Sequence, residues 1–546
     1  MAIEKSGATG WAWISRARRR FARLAPAAVW FFAVAIGAAG AYAVIGFRAA
    51  IDFISVLAFG ETEEAIVSAA SSLGGWRAAM GPILGGCAVS GVLYAADRFG
   101  WLKGGRGQGV ADVIEARAVG DGRISLRTGL AAATVSALSV GAGASAGREG
   151  PAAHLGATIA STMDERFGFT AKDRRTLLGC GAAAAVAASF NAPIAGVLFA
   201  LEVIMGNYAL SVFGPIAAAS VTGAVVARTH LGNFPAFAAP EYGAVGNLDV
   251  PLSALLGLLC GLLASLFLRA TQAPTVSVRE IADARGVPYV FLPPIGGAIV
   301  GAIAAFHPEV LGVSYEAVTN ALAGGYTMRT LIIIAALKLV ATAVTVSFRF
   351  GGGVFSPGLV IGAFAGAAFG AAVQGIAPEA TASPALYAMV GMGAAAGAIL
   401  GAPISTTLIV FELTGDYALT ISLLVSVAIA TFVTQGIVGR SYFQWQLSRR
   451  GYDMSDGPQG VILQTIRVRE VMEKMPAGAP LSADAPRLAT HQSLGAALAE
   501  LERADEAGLP VVSNRKPDEI VGYLSRVKAL GAYNRALIDS HIEHHR

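Results

Sequence analysis

The chain is a succession of apolar runs, and the unevenness of their lengths restricts its fold more than any other feature. Seven runs reach the roughly 20 residues a helix needs to cross a bilayer core: residues 26–47, 78–97, 211–228, 251–270, 330–347, 357–377 and 417–438. Eight others stop short or are cut by glycine and proline, at about 108–118, 128–144, 150–163, 178–189, 192–206, 292–305, 384–400 and 402–413. Broken backbone at membrane depth survives only where protein buries it or where it lines a wet cavity. Many short, interrupted helices therefore predict an all-α polytopic membrane fold of short tilted helices, with a solute site near the midplane. Composition agrees: 55% of residues are hydrophobic and 14% charged, where a soluble protein carries about 25% charged. That balance excludes a disordered chain, a disulfide scaffold and a nucleic-acid binder, and it argues against a cytosolic enzyme.

Charge is concentrated at the two ends. Residues 467–546 hold 22 charged side chains in 80 positions, against 54 in the preceding 466. The sequence thus divides into a basic arm (1–25), a membrane domain (26–450), a polar linker (451–466) and a small soluble α/β unit (467–546). In the arm, Lys5, Arg16, Arg18, Arg19, Arg20 and Arg23 face a single acid, Glu4, which the positive-inside rule places in the cytoplasm. A signal peptide fits less well, because no small-residue cleavage site follows the arginines; no basic groove follows to bind nucleic acid. Cys87, Cys180 and Cys260 lie in apolar stretches without metal or disulfide spacing, and read as buried small hydrophobes. In the C-terminal unit an amphipathic helix near 493–505 precedes strands at 509–513 and 520–524, and the closing HIEHHR reads as a solvated tail rather than a metal site.

An internal repeat runs through the apolar part. LGCGAAAA (178–185) resembles VGMGAAAG (390–397), and APIAGVLFALE (192–202) resembles APISTTLIVFE (402–412), with Ala192/Ala402, Pro193/Pro403, Ile194/Ile404, Leu198/Leu408 and Glu202/Glu412 identical. Sequence alone leaves open whether the halves are parallel or inverted.

Three glycine-rich interruptions lead into apolar helices: GGRGQGVADVIEA (104–116), GAGASAGREGP (141–151) and FRFGGGVFSPG (348–358). Glycine lets a ligand approach the backbone, and the helix start beyond it offers unpaired N–H groups and the positive end of the dipole. Such ends bind anions without a formal positive charge, and three converging would hold a small anion loosely enough to release it. Glu149, at one of these ends, is itself an anion able to occupy the site. Protonation removes its charge and frees the path, so opening favours low external pH. Voltage acts as well, at about 2.3 kcal/mol per charge per 100 mV. Arg148 reads as a structural partner more readily than as a pore charge, and His154 as a packed histidine.

GREGP (Gly147–Pro151), GVFSP (Gly353–Pro357) and the repeated Ala-Pro helices, in this order across residues 26–450, resemble the CLC family of chloride channels and proton-coupled chloride exchangers. The resemblance implies a homodimer in lipid, each subunit with its own pore built from two inverted halves and an anion path lined by three helix starts. It implies anion binding at Gln108, Gly109, Gly150, Val354, Phe355 and Phe443. GQGVA takes the place of the first filter motif, from Gly107 through Val110 to Ala111, with Gln108 where serine is usual and Ala111 where proline is usual. The second motif, with Gly147, Arg148 and Pro151, implicates Glu149 as the external gating glutamate. The third, with Gly353, Ser356 and Pro357, implicates the amides of Val354 and Phe355. The pore tyrosine aligns on LSRRG (447–451) with Phe443, and a one-residue shift restores Tyr442.

Exchangers of this family often carry an inner glutamate that relays protons, one residue after the glutamate of the LFALE-like helix. Here Glu202 is followed by Val203, as in members that act as passive channels, although some exchangers also lack the relay. Two readings remain: a voltage- and pH-sensitive chloride channel gated by Glu149, and a proton-coupled chloride antiporter of the same fold. The C-terminal unit resembles a single CBS domain, pairing with that of a second subunit. Dimer support is its plain role and nucleotide binding its sharper one; no cofactor is otherwise implied. The arm and compact size suit a bacterial inner membrane, both termini cytoplasmic. Two rival classes have motifs of their own. GASAG (Gly143–Gly147) fits a serine-hydrolase nucleophile pattern with Ser145, which needs a strand–turn–helix context and a histidine partner. A cation transporter would use Asp112, Glu115, Glu202 and Glu412.

Overall fold

The computed structural model describes residues 25–102, 108–120, 122–164, 167, 169–233, 245–378, 381–452, 463, 466–475, 486–513 and 519–545. The basic arm, Gly107 and most of the linker lie outside the described residues. The chain divides into two compact units, Met1–Tyr442 and Phe443–Arg546.

The described residues of the first unit are built into helices joined by short connections. In its first half α1 (Ala25–Phe59), a one-turn 3₁₀ segment (Glu63–Ala65), α2 (Ile66–Leu73) and α3 (Gly75–Arg98) lead to α4 (Val110–Val119), α5 (Leu126–Gly141), α6 (Glu149–Asp164), α7 (Ala171–Phe190) and α8 (Pro193–Phe199). α8 runs straight into a π-helical turn, Ala200–Met205, before α9 (Leu210–Leu231). The second half comprises α10 (Asp249–Ala284), α11 (Leu292–Ala304), α12 (Tyr315–Leu322), α13 (Met328–Ser347), α14 (Phe355–Ile376), α15 (Pro384–Leu400), α16 (Pro403–Thr414) and α17 (Tyr417–Val438). Among the described residues seven helices are long and apolar enough to cross a membrane, and they coincide with the seven long runs of the sequence. The eight short runs are helices too. α7 begins earlier than its apolar run because Thr170 accepts from the Asp173 amide at 3.2 Å, capping a polar first turn.

The repeat is a structural one. A Cβ on Gly156 would lie 2.2 Å from the Gly181 carbonyl and 2.8 Å from Ala185 Cβ; one on Gly362 would lie 2.2 Å from the Gly391 carbonyl and 2.8 Å from Ala395 Cβ. α6 thus crosses α7 as α14 crosses α15, at backbone contact, which glycine alone permits. This packing equates Gly181 with Gly391, so the strings 178–185 and 390–397 are two residues out of structural register: an alanine-rich string slides without losing matches. α7 and α15 both end on a left-handed residue, Asn191 (φ 59°) and Gly401 (φ 68°). The glutamates of the repeat then exchange roles. Glu202 accepts from the amides of Ile404 and Ser405 at 3.0 and 2.7 Å, at the start of α16. Glu412 accepts from those of Ile194 and Ala195 at 3.0 and 2.7 Å, at the start of α8. Reciprocal contacts of this kind are what a two-fold relation between halves produces, as the resemblance noted above implies.

Cys180 and Cys260 are buried, but Cys87 is exposed on α3. In a membrane helix the outward face is as apolar as the inward one, so apolar surroundings did not establish its burial.

In the second unit, α18 (Tyr442–Ser448) starts at the division, followed by α19 (Val468–Val471), β1 (Leu488–Ala489), α20 (Leu494–Arg503), β2 (Gly508–Val512), β3 (Ile520–Ser525) and α21 (Arg526–His545). β1 is parallel to β2, with Leu488 opposite Val511; β2 is antiparallel to β3, with Leu509 opposite Leu524. Val468, Leu488, Leu494, Leu501, Leu509 and Leu524 form its buried core. The residues expected as a tail continue α21 through His545.

Candidate functional site

The three glycine-rich corners meet. Gly147 and Gly353 exchange backbone hydrogen bonds, each N–H donating to the other's carbonyl at 2.7 Å. This two-residue bridge ties the loop before α6 to the loop before α14. Gly352 makes the approach possible: its φ is +131°, and a Cβ there would lie 2.5 Å from Ala146 Cβ. The start of α4 joins them. A Cβ on Gly150 would lie 3.5 Å from Gly353 Cα and 3.8 Å from Val110 Cγ2. Pro151 and Pro357 occupy the third positions of α6 and α14, where a missing N–H costs nothing. Val110, Ala111, Gly147, Gly150, Val354, Phe355 and Ser356 are buried; Gln108, Gly109 and Gly353 are half-buried. The Gly109 amide is already engaged, donating to Asp112 Oδ2 at 2.9 Å. Phe355 packs on Phe190, ring centroids 5.2 Å apart.

Glu149 is the first residue of α6 and only 4% exposed. Its Oε1 accepts from the Tyr315 hydroxyl at 2.7 Å, and Oε2 has no hydrogen-bond partner among the described residues. A Cβ on Gly147 would sit 2.7 Å from that Oε2 and 3.1 Å from the Ser356 amide nitrogen, so the free oxygen lies beside the start of α14. The Tyr315 hydroxyl is also 3.2 Å from Ser356 Oγ.

Arg148 faces away from the corner. Its Nη1 donates to Glu63 Oε2 at 3.0 Å and its guanidinium lies 5.2 Å over the Tyr315 ring. A cavity of about 1360 Å³ opens beside this cluster, with Arg48, Arg148, Phe190 and Tyr315 in its wall.

Residues 85–435 match the family profile described as voltage-gated chloride channel. The chain belongs to the CLC family. It is 33% identical over 408 residues to a ClcB-like chloride channel protein of Ralstonia nicotianae, covering 74% of this chain and 92% of that one. It is 31% identical over 404 residues to the voltage-gated ClC-type chloride channel ClcB of Escherichia coli, covering 74% and 94%. Its fold is similar to that of a slow cyanobacterial Cl⁻/H⁺ antiporter (TM-score 0.68, 23% identity, 77% and 97% covered) and of a eukaryotic CLC transporter (TM-score 0.62, 20% identity, 93% and 88% covered).

Other residues singled out in this CLC chain fall as follows. Val203 is half-buried in the π-helical turn after α8. Tyr442 and Phe443 are both buried, the first closing one unit and the second opening the other. The Ser145 hydroxyl pairs with Thr342 at 2.9 Å, and its segment is a turn between helices, not a strand–turn–helix elbow. Glu202, Glu412 and Asp112, proposed above as cation ligands, each accept hydrogen bonds from backbone amides at a helix start. Among the described residues no group of three or more candidate metal ligands occurs.

Sequence reasoning missed Tyr315, Glu63 and Lys338. Lys338 did leave a signal, as a lone cation inside the 330–347 run, since an ionisable residue within a membrane run is costly. Its ammonium is fully buried and donates to Val310 O, Gly312 O and Ser314 Oγ at 3.0, 2.7 and 2.8 Å. Tyr315, at the start of the short α12, and Glu63, in the 3₁₀ segment, have no motif to mark them.

Proposed function

We propose that the protein conducts chloride through a path lined by the starts of α4, α6 and α14, with Glu149 as its gate. The observation that carries this reading is a buried carboxylate, one oxygen unpartnered, lying where three helix starts meet. Helix starts attract anions, so the ionised carboxylate and chloride compete for the same place. Protonation removes that competition and opens the path. Gln108, Gly150, Val354 and Phe355 contribute the lining.

Passive, voltage- and pH-sensitive conduction is favoured by Val203, which cannot relay a proton where exchangers often carry glutamate. Proton-coupled antiport is the second reading, favoured by the fold shared with the cyanobacterial Cl⁻/H⁺ antiporter. Neither reading is enzymatic or involves a cofactor. We assign the chain to a bacterial inner membrane as a homodimer, with residues 26–450 spanning it, both termini cytoplasmic and residues 467–546 forming a CBS-like support without nucleotide.

The test is chloride flux from liposomes recorded together with proton movement. Protons driven uphill by a chloride gradient would replace the channel reading with exchange. Glu149→Gln, which mimics protonation, should give flux independent of pH; retained acid activation would remove Glu149 from the gate.

A further inference from the structure

Resting on the assignment of Glu149 as the gate, we infer that Tyr315 is its latch: a positioning residue whose hydroxyl holds the ionised carboxylate in the closed place. A phenol has one proton to give. The nearer acceptor is Glu149 Oε1, at 2.7 Å against 3.2 Å for Ser356 Oγ. The Ser356 hydroxyl can then donate its own proton to the phenol oxygen. Ser356 is the second residue of α14, so the latch joins the gate on α6 to the opposite helix start.

The latch is held on two sides. Arg148 covers the ring at 5.2 Å and is itself paired with Glu63 at 3.0 Å. The loop that delivers Tyr315 is fixed by two buried charges. Glu63 Oε1 accepts from the Val313 amide at 3.3 Å, and the Lys338 ammonium gives three hydrogen bonds to residues 310, 312 and 314. Ser314, immediately before Tyr315, has φ 63°, a left-handed backbone that a serine keeps only when its surroundings over-determine it. A wholly buried lysine and a buried ion pair spent on one short loop indicate that the position of its last residue matters.

The chemistry gives the direction. A hydrogen bond to a carboxylate is roughly twice as strong as one to a neutral carboxylic acid. The latch therefore favours the ionised, closed gate and delays opening to lower pH. The charged and titratable groups facing Glu149 are Tyr315 of α12, Arg148 just before α6 and Glu63 of the 3₁₀ turn. The Arg148 and Glu63 charges both stay in place when only the phenol oxygen is removed.

Tyr315→Phe keeps the ring and deletes that oxygen. In liposomes reconstituted with the full chain, the midpoint of acid-activated chloride flux should rise by about one pH unit, about a tenfold shift in the closed-to-open ratio. Combined with Glu149→Gln, Tyr315→Phe should change nothing further. If Glu149→Gln abolishes the acid response while Tyr315→Phe leaves the midpoint unmoved, the latch is wrong and the gate stands. If Glu149→Gln keeps the acid response, gate and latch fall together. An effect of Tyr315→Phe that persists in the Glu149→Gln background overturns the latch. Infrared pH-difference spectra of the unmutated protein give a check that needs no tyrosine variant. The tyrosine C–O band should move with the carboxyl titration, and not in Glu149→Gln; a band that ignores the carboxyl overturns the proposal.

Discussion

Gly147→Ala probes where the gate sits when closed. The added methyl would lie 2.7 Å from Glu149 Oε2, 3.1 Å from the Ser356 nitrogen and 3.2 Å from Ser356 Oγ. The two serine atoms belong to the start of a buried helix and can yield only slightly. The carboxylate oxygen is the end of a side chain and must retreat by roughly half an ångström to restore normal contact. Overpacking of this size costs about 1–3 kcal/mol, and it falls on the closed conformer, which holds the ionised carboxylate against α14. Raising the energy of the ionised, closed form makes protonation easier, so the midpoint of acid activation moves to higher pH. At 1.36 kcal/mol per pH unit the shift is about one to two units. The assay is chloride efflux from liposomes across a pH series. The midpoint is the readout, because the methyl also narrows the path and lowers the maximal rate. A folded variant with an unmoved or acid-shifted midpoint would refute the placement of the carboxylate beside α14.

Three further outcomes follow from the geometry. Glu202→Ala and Glu412→Ala should cost the same stability, about 1–3 kcal/mol each, because each strips two helix-start amides of an acceptor at 3.0 and 2.7 Å; thermal unfolding in detergent measures this, and a loss confined to one would contradict the two-fold relation. Lys338→Met strips three buried neutral acceptors of their donor and should destabilise by about 1–3 kcal/mol, seen as a lower melting temperature; an unchanged melting curve would mean that the loop before Tyr315 holds itself. Ser145→Ala should lower stability by about 1 kcal/mol through the lost Thr342 contact while chloride flux persists and a serine-reactive probe fails to label the unmutated protein; loss of flux or labelling would reopen the hydrolase class.

The sequence by itself determined the class of fold and the identity of the three corners. Lipid accepts no unpaired backbone, so apolar runs translate into helices, and all seven long runs and eight short ones lie in helices, although α1 and α10 continue well past the apolar runs that predicted them. Glycine followed by proline in a first turn marks a helix start by local stereochemistry alone, as at α6 and α14, while α4 starts from its glycine-rich string without a proline. What lay beyond the sequence was everything that depends on which segments meet. The repeat was visible as matching strings, yet its register needed the Gly156–Gly181 and Gly362–Gly391 crossings, since alanine matches alanine at any offset. Glu202 and Glu412 stood out only as identical letters until each was found capping a helix of the other half. Tyr315, Glu63 and Lys338 come from separate stretches, and only tertiary packing brings Tyr315 to Glu149, with Glu63 and Lys338 fixing the loop before it. Their pairing rests on buried charges that need partners wherever the fold can supply them, a requirement that acts through space and leaves no periodicity along the chain.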